Sequence, residues 1–154
     1  MKSPENPIDR SSYFAMLQRF VEVEIRFNAA LGMLVDDISV GRARLRIPFK
    51  PEWLGDPFRP ALHGGLVSTL ADTAGGVAVF SQFDALQKVS TVDLRVDYLR
   101  HGLEEDLICD AKVLRLGNRV AVTSMVVFQQ QGDRVVAEGR GVYNINRSES
   151  GSHT

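Results

Sequence analysis

The segment from His63 to Phe80, HGGLVSTLADTAGGVAVF, restricts the possible folds of this chain more than any other. From Leu66 onward, Leu66, Leu70, Ala74 and Val77 recur at helical spacing, with Ala78 and Ser81 beside them. That stripe predicts a helix packed on a core. Yet glycine weakens a helix interior by about 1 kcal/mol relative to alanine, and Gly75-Gly76 lie within this one. Away from the apolar stripe, Gly65, Ser68, Thr69, Asp72, Gly75, Gly76 and Val79 share a second face. Asp72 is either a surface charge there or part of a closely packed site. A solvated helix face usually carries several lysines, arginines or glutamates, and this face has none. Small residues let a ligand or another helix approach the backbone, which would compensate for the glycine pair.

The flanking sequence predicts strands. Arg42, Arg44 and Arg46 alternate with Ala43, Leu45 and Ile47, as on a half-buried strand. Val92, Leu94, Val96 and Tyr98 alternate with Asp93, Arg95 and Asp97. DLICDAKVLRL and RVAVTSMVVFQQQ are joined by Gly117-Asn118, a two-residue hairpin signal, and Gly132-Asp133 makes a second such turn. The strands after the helix are therefore expected to form a consecutive antiparallel meander. A first helix is expected from Ser12 to about Ala30, capped by Ser11 or Ser12 and stopped by Gly32. The Pro- and Gly-rich stretch KPEWLGDPFRPALHGG reads as a loop. One helix among strands, without β-α-β alternation, indicates an α+β fold and argues against a doubly wound nucleotide fold.

Residues 1–147 read as one domain, and 148–154 as a disordered polar tail. The net charge is −1 with no basic block, which gives no reason to expect nucleic acid. The single cysteine, Cys109, sits in an apolar run and reads as a buried structural thiol; it excludes an internal disulfide framework. No apolar run approaches a membrane span and no signal peptide is visible, so a cytoplasmic location is expected. No His/Cys/Asp cluster has metal-ligand spacing.

His63-Gly64-Gly65 precedes the first turn of the central helix. A helix N-terminus offers unpaired N–H groups and a partial positive charge, and glycines let a polar ligand atom reach those amides. Such a corner can polarise a carbonyl and stabilise an oxyanion. The plainer alternatives are a glycine-dependent turn and a structural histidine.

Three stretches together resemble the hotdog-fold acyl-CoA thioesterases of the PaaI-like (phenylacetyl-CoA) type: HGGLVSTLADTAGGVAVFS, TVDLRVDYLR and RLGNRVAVTSMVVFQQQGDRVVAEGRGVY. The likeness spans nearly all of the chain from Leu31 to Ile145. It implies an antiparallel sheet wrapped around one long central helix, here with an extra N-terminal helix, and subunits that join sheets edge to edge. A homodimer, and a dimer of dimers, is the implied assembly. The implied reaction is hydrolysis of an acyl-CoA thioester, with coenzyme A as part of the substrate and no separate cofactor or metal. By resemblance, Asp72 is the catalytic carboxylate, as general base or nucleophile. The Gly64 amide is the carbonyl polariser, and His63 a supporting polar group. Thr91, with Ser90 as understudy, orients the attacking water. Gly65 belongs to the same amide corner. Arg100, Arg115 and Arg119 are candidates to meet the phosphates of coenzyme A. Trp53, Leu54, Phe58, Phe80 and Phe83 are candidates to line an acyl or aryl pocket. Pro57 stands where many members have an asparagine, so that contact is absent or is replaced by Asp56 or Arg59. The alternative functions are a non-catalytic acyl-CoA sensor and a hydroxyacyl-thioester dehydratase on the same fold.

Spacing adds one constraint. Gly64 and Asp72 are eight residues apart, or about 12 Å along a helix. A carbonyl must sit about 3 Å from its oxyanion donor, and the attacking group must start about 3–3.5 Å from the carbon. One helix can hardly supply both groups to one bond. Two copies of it, antiparallel across a dimer, can.

Overall fold

The computed structural model describes residues 9–147. An N-terminal helical segment comprises α1 (Arg10–Arg19), a π-helical turn (Phe20–Glu24) and α2 (Arg26–Leu31). Strands β1 (Leu34–Ser39) and β2 (Arg42–Ile47) follow, then the long helix α3 (Gly64–Phe80), then β3 (Lys88–Tyr98), β4 (Leu107–Leu116), β5 (Val120–Gln129) and β6 (Arg134–Asn146). All six strands form one antiparallel sheet in the order β1-β2-β4-β5-β6-β3.

The sheet wraps α3. Leu66, Leu70, Ala74, Val77, Ala78 and Ser81 are all buried, as their spacing predicts. They pack with Leu45, Ile47, Leu107, Cys109 and Met125 from the strands. In β2 the arginines are outward and Ala43, Leu45 and Ile47 inward. On the outer face Arg44 meets Asp110 at 2.6 Å, and Arg46 meets Asp36 at 3.0 Å. Cys109 is fully buried in β4, and burial pushes its thiol up.

Several sequence expectations need correction. The N-terminal helix is not continuous, because it widens into the π turn and breaks at Ile25, whose backbone is extended (φ −78, ψ 100). Its cap is Asp9, which accepts from the Ser11 N–H at 3.1 Å, rather than either serine. Gly32 does end it, at φ 68. The meander holds only for β4-β5-β6: β3 crosses to the far edge and pairs with β6, because β2 occupies the free side of β4. The crossover between β3 and β4 is held by buried Gln129, which accepts from Leu103 N–H at 2.8 Å and donates to the Leu103 and Glu105 carbonyls. A bulge between Thr91 and Asp93 resets the alternation in β3. Val92 is therefore 64% exposed while Leu94 and Val96 face in. The β4–β5 turn is closed by Gly117 N–H on the Val120 carbonyl at 2.8 Å, so its central pair is Asn118-Arg119. The β5–β6 turn is longer than two residues, with Gln130, Gln131 and Gly132 all at positive φ. The expected tail, 148–154, lies outside the described residues.

Gly75, the first of the glycine pair in α3, has an explanation within the chain; a Cβ on Gly76 would make only ordinary contact with the Tyr143 ring, at 3.7 Å. A Cβ on Gly75 would strike the Tyr143 hydroxyl and lie 2.9 Å from Thr123 Oγ1. At Gly75 the small face thus makes room for Tyr143 of its own sheet. Gly75→Ala would gain about 1 kcal/mol of helix propensity. Overpacking costs about 1–3 kcal/mol, and displacing Tyr143 loses a hydrogen bond of about 1 kcal/mol as well. The expected net effect is destabilisation of about 1–3 kcal/mol, read as a lower urea midpoint; an unchanged or higher midpoint would contradict this packing.

Candidate active site

The first turn of α3 is organised by His63, its N-cap. The loop before it is tied down by His63 N–H donating to the Trp53 carbonyl at 2.8 Å and by a bridge between Leu54 and Leu62. His63 Nδ1 accepts the Gly65 N–H at 2.8 Å, and its carbonyl accepts the Leu66 N–H at 3.0 Å. An imidazole that accepts at Nδ1 carries its neutral-form proton on Nε2. Histidine therefore occupies two amides of the turn. The Gly64 N–H has no hydrogen-bond partner among the described residues. The Gly64 carbonyl accepts from the Tyr98 hydroxyl at 2.8 Å, and the Tyr98 ring would lie 3.4 Å from a Cβ at Gly64. The sequence reading missed Tyr98 at this corner; its only signal was the aromatic end of an alternating strand.

Two turns along α3, Asp72 is partly exposed and firmly held. Thr91 Oγ1 donates to Asp72 Oδ1 at 2.8 Å. The Tyr143 hydroxyl donates to the Asp72 carbonyl at 2.7 Å and lies 3.3 Å from Oδ1. Burial, and then the Asp72 charge, push the Tyr143 phenol up, so it remains a donor at neutral pH. Asp72 Oδ2 accepts nothing among the described residues. One carboxylate oxygen is pinned and the other presented. Tyr143 was also missed. Its signal was Gly141 two residues earlier on the same strand face: a Cβ there would lie 2.7 Å from the Tyr143 hydroxyl.

The remaining predicted residues are distributed unevenly. Phe80 joins Asp72, Thr91 and Tyr143 around a cleft of about 200 Å³. Ser90 does not reach Asp72, because Val89 and Thr91 face the cleft and strand alternation turns Ser90 to the other side. Phe58 is 97% exposed. Arg59 pairs with Asp56 at 2.8 Å, and Asp56 also accepts the Phe58 N–H at 2.8 Å. That amide, with Arg59 beside it, holds the Asp56 carboxyl below its usual range. Asp56 and Arg59 thus satisfy each other within the loop. Arg100 lines a hollow with Arg59, Tyr98 and His101. Arg115 and Arg119 are exposed at the β4–β5 end of the sheet, away from the α3 N-terminus. Trp53 is partly buried and donates to the Pro48 carbonyl at 3.1 Å, and Phe83 packs beneath Arg147. No group of three or more potential metal ligands occurs among the described residues.

Within one chain, α3 is a single unbroken helix from Gly64 to Phe80. The free amide and the bare carboxylate oxygen therefore stand about 12 Å apart along its axis, too far to act on one carbonyl.

Comparison with known proteins matches residues 60–136 to the thioesterase superfamily. A protein from Halobacterium salinarum is 38% identical over 149 residues, spanning 92% of this chain and 97% of its own. The medium/long-chain acyl-CoA thioesterase YigI of Escherichia coli K12 is 32% identical over 118 residues, spanning 68% of this chain and 76% of its own. The solved structure of the E. coli PaaI protein, from the phenylacetic acid degradation operon, superposes with a TM-score of 0.76 at 25% identity, covering 89% of this chain and 96% of that one. The six-stranded sheet around one long helix, the residues matched and these relatives agree, and the chain belongs to the thioesterase superfamily, on the hotdog fold.

Proposed function

We propose that this protein hydrolyses acyl-CoA thioesters in a site shared between two subunits. The observation that carries this reading is the position of β3. It is an edge strand of eleven residues, hydrogen-bonded among the described residues only to β6, and a long unpaired edge is a template for another strand. It also touches both halves of the site, Asp72 through Thr91 and Gly64 through Tyr98. Antiparallel pairing of two β3 strands about a twofold axis near Leu94 and Arg95 sets Thr91 of one subunit opposite Tyr98 of the other. The Gly64 amide of one helix then faces the Asp72 carboxylate of its neighbour.

In the shared site the thioester oxygen accepts the Gly64 N–H, supported by the helix dipole. Asp72 Oδ2 either takes a proton from water, whose oxygen adds to the carbonyl carbon, or adds to that carbon itself. In both routes the oxyanion collapses, the C–S bond breaks and the thiolate of coenzyme A leaves. In the second, water then cleaves the acyl-aspartyl anhydride. Thr91 spends its proton on Asp72 Oδ1 and keeps lone pairs for the water. His63 Nε2–H adds a second donor at the amide corner. The names of the relatives support an acyl-CoA substrate. No helix among the described residues is long and apolar enough to cross a membrane.

The test is thiol release from a panel of acyl-CoAs, with hydration of enoyl-CoA followed in parallel. Thiol release that depends on Asp72 supports hydrolysis. Binding without turnover identifies a sensor, and hydration a dehydratase; either result would overturn the proposal.

A further inference from the structure

The amide corner is built from the residue type with the most backbone freedom, since Gly64 and Gly65 are the first two residues of α3. A donor serves an oxyanion only if its direction is fixed before the charge develops. Three hydrogen bonds fix this one. The peptide before Gly64 is anchored by its carbonyl, where His63 accepts the Leu66 N–H at 3.0 Å. The peptide after Gly64 is held at both ends. Its N–H, from Gly65, donates to His63 Nδ1 at 2.8 Å, and its carbonyl accepts from the Tyr98 hydroxyl at 2.8 Å. Two of these bonds belong to the turn itself. The third comes from β3, 34 residues away, and is the only hydrogen bond between that strand and this turn among the described residues. Tyr98 is 53% exposed, so water is available to its hydroxyl, and a bond made in place of one to water adds little to stability. Its value lies in where it holds the glycine.

We propose that Tyr98 is a positioning residue for the reaction: through the Gly64 carbonyl it holds the Gly64 amide in line with the thioester oxygen. The inference rests on the thioesterase reading above. Without the hydroxyl, the Gly64–Gly65 peptide keeps only its tie to His63. Gly64, with no side chain to restrict its dihedrals, then no longer keeps its N–H in one direction, and a hydrogen bond weakens steeply off line. The loss falls on the transition state, where the oxyanion needs its donor, and little on substrate binding. Tyr98 ends β3 and Thr91 lies near its start, so one strand orients both the amide and the carboxylate of its chain.

The experiment compares Tyr98→Phe with the wild type, and the same change made on Gly64→Pro, by thiol release from acyl-CoA and by melting curves. Phenylalanine keeps the ring that lies against Gly64 and removes only the hydroxyl. On the wild type kcat is expected to fall about tenfold, part of the cost of a lost oxyanion donor, with KM within about twofold and an unchanged melting curve. On Gly64→Pro, where no amide hydrogen remains to aim, the same change should lower kcat by less than about twofold. A trifluoromethyl ketone analogue of the acyl-CoA, which resembles the oxyanion, should bind Tyr98→Phe about tenfold more weakly, while an unreactive thioether analogue binds both proteins equally. Equal losses of kcat in the two backgrounds, a rise in KM with kcat unchanged, or equal binding of the ketone would overturn the positioning role while Asp72-dependent hydrolysis keeps the thioesterase reading intact. No thiol release from the wild type overturns both.

Discussion

Asp72→Asn is expected to lower kcat for acyl-CoA hydrolysis by about three orders of magnitude, within the range for removal of a general base, and to leave the fold intact. Asparagine keeps the shape of aspartate and an oxygen for the Thr91 and Tyr143 hydroxyls, which lie 2.8 and 3.3 Å from Oδ1 in the native chain. It puts an amide NH2 where Oδ2 stood, and an amide is neither base nor nucleophile at neutral pH. KM should move by no more than about threefold, because the lost interaction is made in the transition state. Steady-state thiol release and a melting curve on the same sample check this. A loss of less than about tenfold would remove Asp72 from the chemistry.

Gly64→Pro is expected to lower kcat by about 10²–10³-fold, the cost of one oxyanion donor, without loss of stability. Proline is favoured at the first helical position and lacks an N–H. His63 already has the extended backbone that a residue before proline prefers (φ −61, ψ 129). A Cβ at Gly64 would make ordinary contact with the Tyr98 ring, at 3.4 Å. The substitution therefore removes the amide hydrogen and adds a ring whose Cβ has room beside Tyr98. Gly64→Ala keeps the amide and should lose far less. Equal losses in the two variants would point to the Tyr98 contact rather than the amide.

The sequence made the central helix legible because six residues from Leu66 to Ser81 follow a helical period and all are buried. The hairpins and the half-buried β2 were legible for the same reason, with period two. The path of β3 was not. Alternation shows that a strand exists but not which neighbour it takes, and here β2 claims β4 from a distance in sequence. Spacing and resemblance single out Asp72 and the Gly64 corner as candidates, whereas neither singles out Tyr143 or Tyr98, which hydrogen-bond to them. Each acts through its hydroxyl on a backbone carbonyl, of Asp72 and Gly64 respectively, and the local cues, Gly141 before Tyr143 and the strand end at Tyr98, do not name the partner. Close approach, the reason the glycine pair stands out in the sequence, holds at Gly75, where the approaching group is Tyr143 of the same chain. The break at Ile25 escaped notice because no proline or glycine marks it; the π turn and Asn28 hold it.

Mixing the two inactive variants tests the shared site most directly. In a heterodimer of Asp72→Asn with Gly64→Pro, one site joins an intact amide to an intact carboxylate, and the other carries both defects. After random exchange of subunits in equal amounts, hydrolysis should recover to about a quarter of the wild-type rate. Activity that stays at the level of the separate variants, in samples shown to contain heterodimers, would mean that each chain works alone and would contradict catalysis across two subunits.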